Sequence, residues 1–150
     1  MTSYKSYSTA SDRHSRLYDL TMKELLYIFV GGGIGSTLRY VASLLWQHLR
    51  LHPTYSDIIF PWPTLIVNIA GCLLIGLFYT HSATWQLKPE TTIMLTTGLC
   101  GGLTTFSTFS YESITLLRTG HTTLFIIYIS ISIILGLAAV LAPILLTSIR

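Results

Sequence analysis

The sequence predicts an all-α membrane protein with four transmembrane helices, the third of them broken. Three observations carry this. Charged residues make up 10% of the 150-residue chain and its mean hydropathy is +0.60, whereas soluble domains carry about 25% charged residues. Apolar stretches long enough to cross a bilayer lie at about 24–47, 62–81, 91–117 and 122–147. Within the third, residues 98–112 read Gly-Leu-Cys-Gly-Gly-Leu-Thr-Thr-Phe-Ser-Thr-Phe-Ser-Tyr-Glu. A bilayer has no water for stray backbone groups, so a polar break at membrane depth is tolerated only where it is buried in protein or lines an aqueous path. The break therefore points to a site for a small ion.

Residues 1–22 are rich in Ser, Tyr and Thr, with Lys5, Arg13 and Arg16, and read as a mobile polar N-terminal tail, with a short interfacial helix as the alternative. Residues 23–150 form the membrane domain. The first span holds Gly31-Gly32-Gly33-Ile34-Gly35 and Arg39. These glycines lack the strand and full spacing of a nucleotide loop, and are expected to let membrane helices approach closely. Gly71 and Gly76 in the second span invite the same reading. The loop 48–61 is polar, with Pro53 and Asp57, and Pro61-Trp62-Pro63 opens the second span. Pro143 is expected to kink the fourth. Trp46, Trp62, Tyr79 and Trp85 fall close to span ends, as an aromatic belt requires. Cys72 and Cys100 lie in apolar spans and are expected to be reduced and buried. No signal-peptide pattern precedes the first span.

Four spans put both termini on one side. That side carries Lys5, Arg13, Arg16, Lys23, Lys88 and Arg150, against Arg50 and Arg118 on the other. Without the tail the balance is three to two, a weak orientation signal of the kind a chain inserted both ways would show. The basic charge flanks the membrane, and no nucleic-acid patch is evident.

Several polar residues stand out inside the spans. Arg39 either faces a wet cavity or snorkels to an interface, and its field favours an anion nearby. Asn68 sits mid-span and either glues helices together or donates its N–H groups to a dehydrated anion. If the third span unwinds at Gly101–Thr104, it frees carbonyls that suit a hard monovalent cation. The second half-helix would then begin near Thr105 with an electropositive N-terminus. Ser107, Thr108 and Ser110 add hydroxyls. Phe106 and Phe109 share a helical face, where they either pack in the core or present positive ring edges to an anion. Tyr128 and Ser132, one turn apart, extend a polar track in the fourth span. Glu112 stands at a vestibule mouth or partners a basic group. The five histidines are scattered in the tail or near span ends, which argues against a metal site or a catalytic base. A membrane enzyme would need clustered acid/base or metal groups, and the sequence shows none.

Together these residues resemble the CrcB/Fluc family of fluoride channels over about residues 24–147. The resemblance rests on Gly32-Gly33-Ile34-Gly35…Arg39-Tyr40, on Thr64…Asn68…Gly71, and above all on Gly98-Leu-Cys-Gly101-Gly-Leu-Thr104-Thr-Phe106-Ser-Thr-Phe109-Ser. It implies an antiparallel, dual-topology homodimer with two pores, in the cell inner membrane. It implies a structural, untransported sodium ion (Na+) at the dimer centre, held by main-chain carbonyls that match Gly101 and Thr104. By the same resemblance Asn68, Phe106 and Phe109 line the fluoride pathway, and Tyr128 and Ser132 match polar positions of the fourth span. One turn after Ser132, where some relatives continue the hydroxyl track, this chain has Gly136. The expected function is passive fluoride export that lowers cytoplasmic fluoride. The alternative is a proton-coupled exporter of the four-span, dual-topology type, which would need a carboxylate inside the first span, and Glu24 stands only at its start.

Overall fold

The computed structural model describes the backbone of residues 10–49 and 60–148 and the side chains of 21–49 and 60–147. Residues 1–9 of the expected tail and most of the loop after the first span, with Pro53 and Asp57, lie outside the described residues. The described chain is helical throughout, without a strand.

Helix α1 (Ala10–Leu49) is one continuous rod. It starts well before Glu24, so the backbone of residues 10–22, expected as tail, is helical. Its membrane-spanning portion is Thr21–Leu49. Helix α2 (Trp62–His81) has Pro61 at its N-cap and Pro63 in its first turn, where a missing N–H costs nothing. Helix α6 (Thr122–Ser148) runs through Pro143 without ending there. These three helices are long and apolar enough to cross a membrane.

The segment between α2 and α6 is assembled from pieces. Helix α3 (Pro89–Ile93) passes into a π-helical stretch, Met94–Cys100, then a short turn, α4 (Gly101–Leu103). The backbone extends at Thr104 and Thr105, and α5 (Phe106–Arg118) follows. The break thus falls at the last residue of the expected stretch Gly101–Thr104 and at Thr105, three and four residues after Gly101, whose φ of −64° and ψ of −37° are helical. A Schellman turn closes α5. His121 N–H reaches Leu116 O at 2.9 Å and Gly120 N–H reaches Leu117 O at 3.2 Å, with Gly120 at φ +82°, a conformation that glycine adopts without strain.

Glycines decide how α1 meets the broken segment. A Cβ on Gly31 or Gly35 would collide with the backbone oxygens of Met94 and Leu99, and one on Gly102 would lie 2.5 Å from Gly32 O. The two backbones are therefore in direct contact along the π stretch and α4, as small-residue packing allows. Gly76 makes the same allowance for α6, since its Cβ would lie 2.7 Å from Val140 O. Helix α2 pairs with α6, and α5 rests on α6. The small core between them holds Leu65, Leu116 and Tyr128, with Phe60 and Phe109 packed against it.

Candidate functional site

The site is built around the break. In an unbroken helix the Thr105 N–H would go to Gly101 O. Instead it donates to Asn68 Oδ1 at 2.8 Å, while Asn68 Nδ2 donates to Thr105 O at 3.2 Å. One carboxamide from α2 thus replaces the helical bonding of an extended residue in the broken segment. This satisfies two backbone groups that would otherwise be orphaned in a low-dielectric interior. Asn68 Nδ2 carries a second N–H beyond this pairing.

Thr105 also caps α5. Its Oγ1 accepts from Thr108 N at 3.2 Å, donates to Thr108 Oγ1 at 3.0 Å, and lies 3.2 Å from Ser107 Oγ. Ser107 and Thr108, expected along an ion path, are thereby tied into a capping cluster. Ser110 is turned back onto Phe106 O at 2.9 Å, a bond to the preceding turn that is common for hydroxyls in membrane helices.

Arg39 turns inward and, among the described residues, pairs with no acid. Its Nη1 donates to Thr104 O at 3.1 Å, bringing a guanidinium from α1 onto the other extended residue of the break. Gly71 leaves room for Thr104, because a Cβ there would strike Thr104 Cγ2.

A cleft of about 550 Å³ opens beside the break, bordered by Asn68, Gly101, Thr104, Phe106, Phe109 and Ser132 among others. The Ser132 hydroxyl is buried and has no hydrogen-bond partner among the described residues, which leaves it available to a guest in the cleft. Phe106 and Phe109 lie 5.8 Å apart between ring centroids, and Phe109 contacts Tyr128 at 5.1 Å. Their environments differ: Phe109 packs on the core, whereas Phe106 is 79% exposed on a single chain.

Tyr128 is fully buried and does not reach this cleft as a free hydroxyl. It donates to Glu112 Oε2 at 2.9 Å, and Thr64 donates to Glu112 Oε1 at 2.8 Å. Of the two expectations for Glu112, a vestibule mouth or a basic partner, its described partners are hydroxyls and not a basic group. With Thr64 and Thr108 it borders a second cleft of about 480 Å³, towards Trp46 and Pro61. Thr64 and Asn68 are one helical turn apart on α2, so one face of that helix touches both clefts. Thr64 and Thr105 join the site although neither was expected to line the ion path. Their signal was position: Thr64 precedes Asn68 by one turn, and Thr105 begins a Thr-Phe-Ser-Thr capping pattern.

The carbonyls expected to hold sodium can be judged on the same geometry. Gly101 is exposed, with open space where a side chain would be, and its carbonyl has lost its usual N–H to Asn68. Thr104 O accepts from Arg39 and retains a second lone pair. Neutral carbonyl oxygens of this kind suit a hard monovalent cation.

An interrupted helix stitched by a half-buried amide, beside clefts in a bundle with three membrane-length helices, defines a membrane-embedded helical protein built to hold a polar break. The chain belongs to the CrcB-like family, whose model, described as CrcB-like protein, Camphor Resistance (CrcB), matches residues 26–144. It is 50% identical over 121 residues to a Bacteroides fragilis protein named fluoride-specific ion channel FluC, covering 81% of this chain and 93% of the relative. Identically named proteins from Phocaeicola vulgatus and Flavobacterium psychrophilum are 48% and 45% identical, covering 80% and 79% of this chain and 94% and 91% of theirs.

Proposed function

We propose that this chain is a passive, fluoride-selective channel that lets fluoride leave the cytoplasm. The observation that carries the reading is the Asn68–Thr105 pairing, which holds the broken helix open beside a cleft edged by Phe106, Phe109 and the unpartnered Ser132 hydroxyl. The relatives' names supply the ion. Fluoride holds water tightly, so a pore must replace that shell with closely placed donors. The remaining Asn68 N–H and the Ser132 hydroxyl are such donors, and the phenylalanine edges add a weaker positive field. The N-terminus of α5 and the Arg39 guanidinium offset the anion's charge without moving. Hydrogen fluoride enters cells from acidic surroundings as the neutral acid and ionises inside, so the anion has a gradient to descend and needs no coupling step.

In this reading the segment Pro89–Arg118 is the third of four spans, and the working unit is an antiparallel, dual-topology homodimer in the inner membrane. One chain offers two carbonyls, Gly101 and Thr104, and a second copy completes the set that would hold the structural sodium ion. When bound, that ion supplies fixed positive charge at the centre and is not transported. The exposed Phe106 ring gains its surroundings from the second copy.

The test is fluoride efflux from liposomes with the potential clamped by valinomycin. The expected result is rapid fluoride release, no chloride release and no accompanying proton movement. Well-folded dimers that release no fluoride overturn the reading, and proton flux stoichiometric with fluoride favours the coupled exporter.

A further inference from the structure

Two thiols border the cleft beside the break, and the conduction reading uses neither. Cys72 follows Asn68 by one turn on α2, so it shares that helix face. Cys100 is the last residue of the π-helical stretch, immediately before Gly101. Both line the same cleft, and α2 runs beside Cys100 next to Cys72, since a Cβ on Gly71 would stand 3.9 Å from Cys100 O. Both are free thiols. Neither makes a hydrogen bond among the described residues. Cys72 faces α6 at Gly136, where a Cβ would stand 3.6 Å from Cys72 Sγ, in ordinary van der Waals contact. Among the described residues no group of three His, Cys, Asp or Glu side chains could hold a metal, so zinc, which takes four ligands, finds no site here. Two sulfurs in an apolar cleft instead match the needs of soft d10 cations that accept two thiolates, Cu+ being the biological member.

We propose that Cys72 and Cys100 form a two-thiolate site for one soft cation of the Cu+, Ag+ or Hg2+ type, and that filling it closes the cleft beside Asn68. With Hg2+, both thiols lose their protons, two S–Hg bonds form and two H+ are released. The product cross-links α2 to the end of the π-helical stretch, one turn before the break. It fixes the two walls whose separation makes room for an ion and places a bulky group one turn from the Asn68 carboxamide.

The experiment is titration of the purified full-length protein with Hg2+, followed by the sulfur-to-mercury charge-transfer absorbance and by proton release. Saturation at one Hg2+ and two H+ per chain supports the site. Saturation at two Hg2+ per chain overturns it, because the thiols then bind independently. This readout needs no variant and no fluoride flux, so its failure is separable from failure of the channel reading. In liposomes that conduct fluoride, one equivalent of Hg2+ is expected to slow efflux at least tenfold, with C72S and C100S each restoring it. Block that persists in both serine variants overturns the proposal.

Discussion

At the scale of single residues, Asn68 carries the most consequence. It does two jobs at one place, closing the hydrogen bonds of a broken backbone and turning an N–H towards a cleft. Leaving a buried backbone donor unpaired costs about 1–3 kcal/mol, so N68A is expected to lower stability in detergent by that order as well as abolish fluoride efflux. Unchanged stability would mean that Thr105 finds another partner. The two phenylalanines separate differently. Phe109 is held between Phe106 and Tyr128 in the core, while Phe106 is exposed on a single chain. Losing a favourable ring-edge contact worth about 1 kcal/mol corresponds to roughly a fivefold change in rate. F106I and F109I are each expected to slow efflux by at least that factor, and only F109I to lower the unfolding midpoint as well. Unchanged flux in both variants would return the rings to plain packing.

At the scale of elements, the broken segment is shaped by its neighbours. The break is capped by Thr105, held from α2 by Asn68 and from α1 by Arg39. Removing a threonine N-cap costs about 1 kcal/mol, so T105A is expected to destabilise α5 by that amount, measured by unfolding in detergent, and T105S to restore most of it. The glycine seam is stricter. In G35A a Cβ meets the backbone oxygen of Leu99, and forced repacking of this kind costs about 1–3 kcal/mol. G33A is the matched control, because nothing lies within 4 Å of a Cβ there. The expected outcome is a clear fall in the unfolding midpoint for G35A and none for G33A in monomeric protein.

At the scale of the whole molecule, the exposed surface and the charge balance bear on the proposed pairing of two copies. The large exposed hydrophobic side chains, among them Phe29, Tyr111 and Leu146, suit lipid or a second copy, since in a bilayer an apolar exterior costs nothing. Orientation follows from charge. With four spans as proposed, the two sides of the membrane would carry Lys and Arg at six to two with the tail and three to two without it. Fusions of a topology reporter to the C-terminus should therefore report both orientations, with the N-terminus-in form favoured. Deleting residues 1–22 should bring the two closer to equal. A single orientation in both proteins would remove the antiparallel homodimer. Efflux that survives such a result would point to a different assembly.

Composition and hydropathy by themselves determined that the chain is helical and membrane-embedded, and placed α2 and α6 at nearly their observed bounds, because apolar length is a local property of the chain. The residues of the polar run 98–112 also stood out, since hydroxyls and glycines inside a span conflict with lipid whatever the fold. What only the tertiary structure decided is which of those groups are free. Gly101 to Thr104 looked like the hinge, yet Gly101 to Leu103 are helical and only Thr104 is extended, while Gly102 is small because Gly32 lies against it. The break falls at Thr104 and Thr105 because Asn68 and Arg39, distant in sequence, offer those two residues the hydrogen bonds that a helix would have supplied. Ser107, Thr108 and Tyr128 looked alike as track hydroxyls, but the first two are spent on a cap and the third on Glu112, leaving Ser132 unpartnered. Hydrogen-bond satisfaction is a contest among non-local partners, and a one-dimensional pattern lists the contestants without naming the pairs.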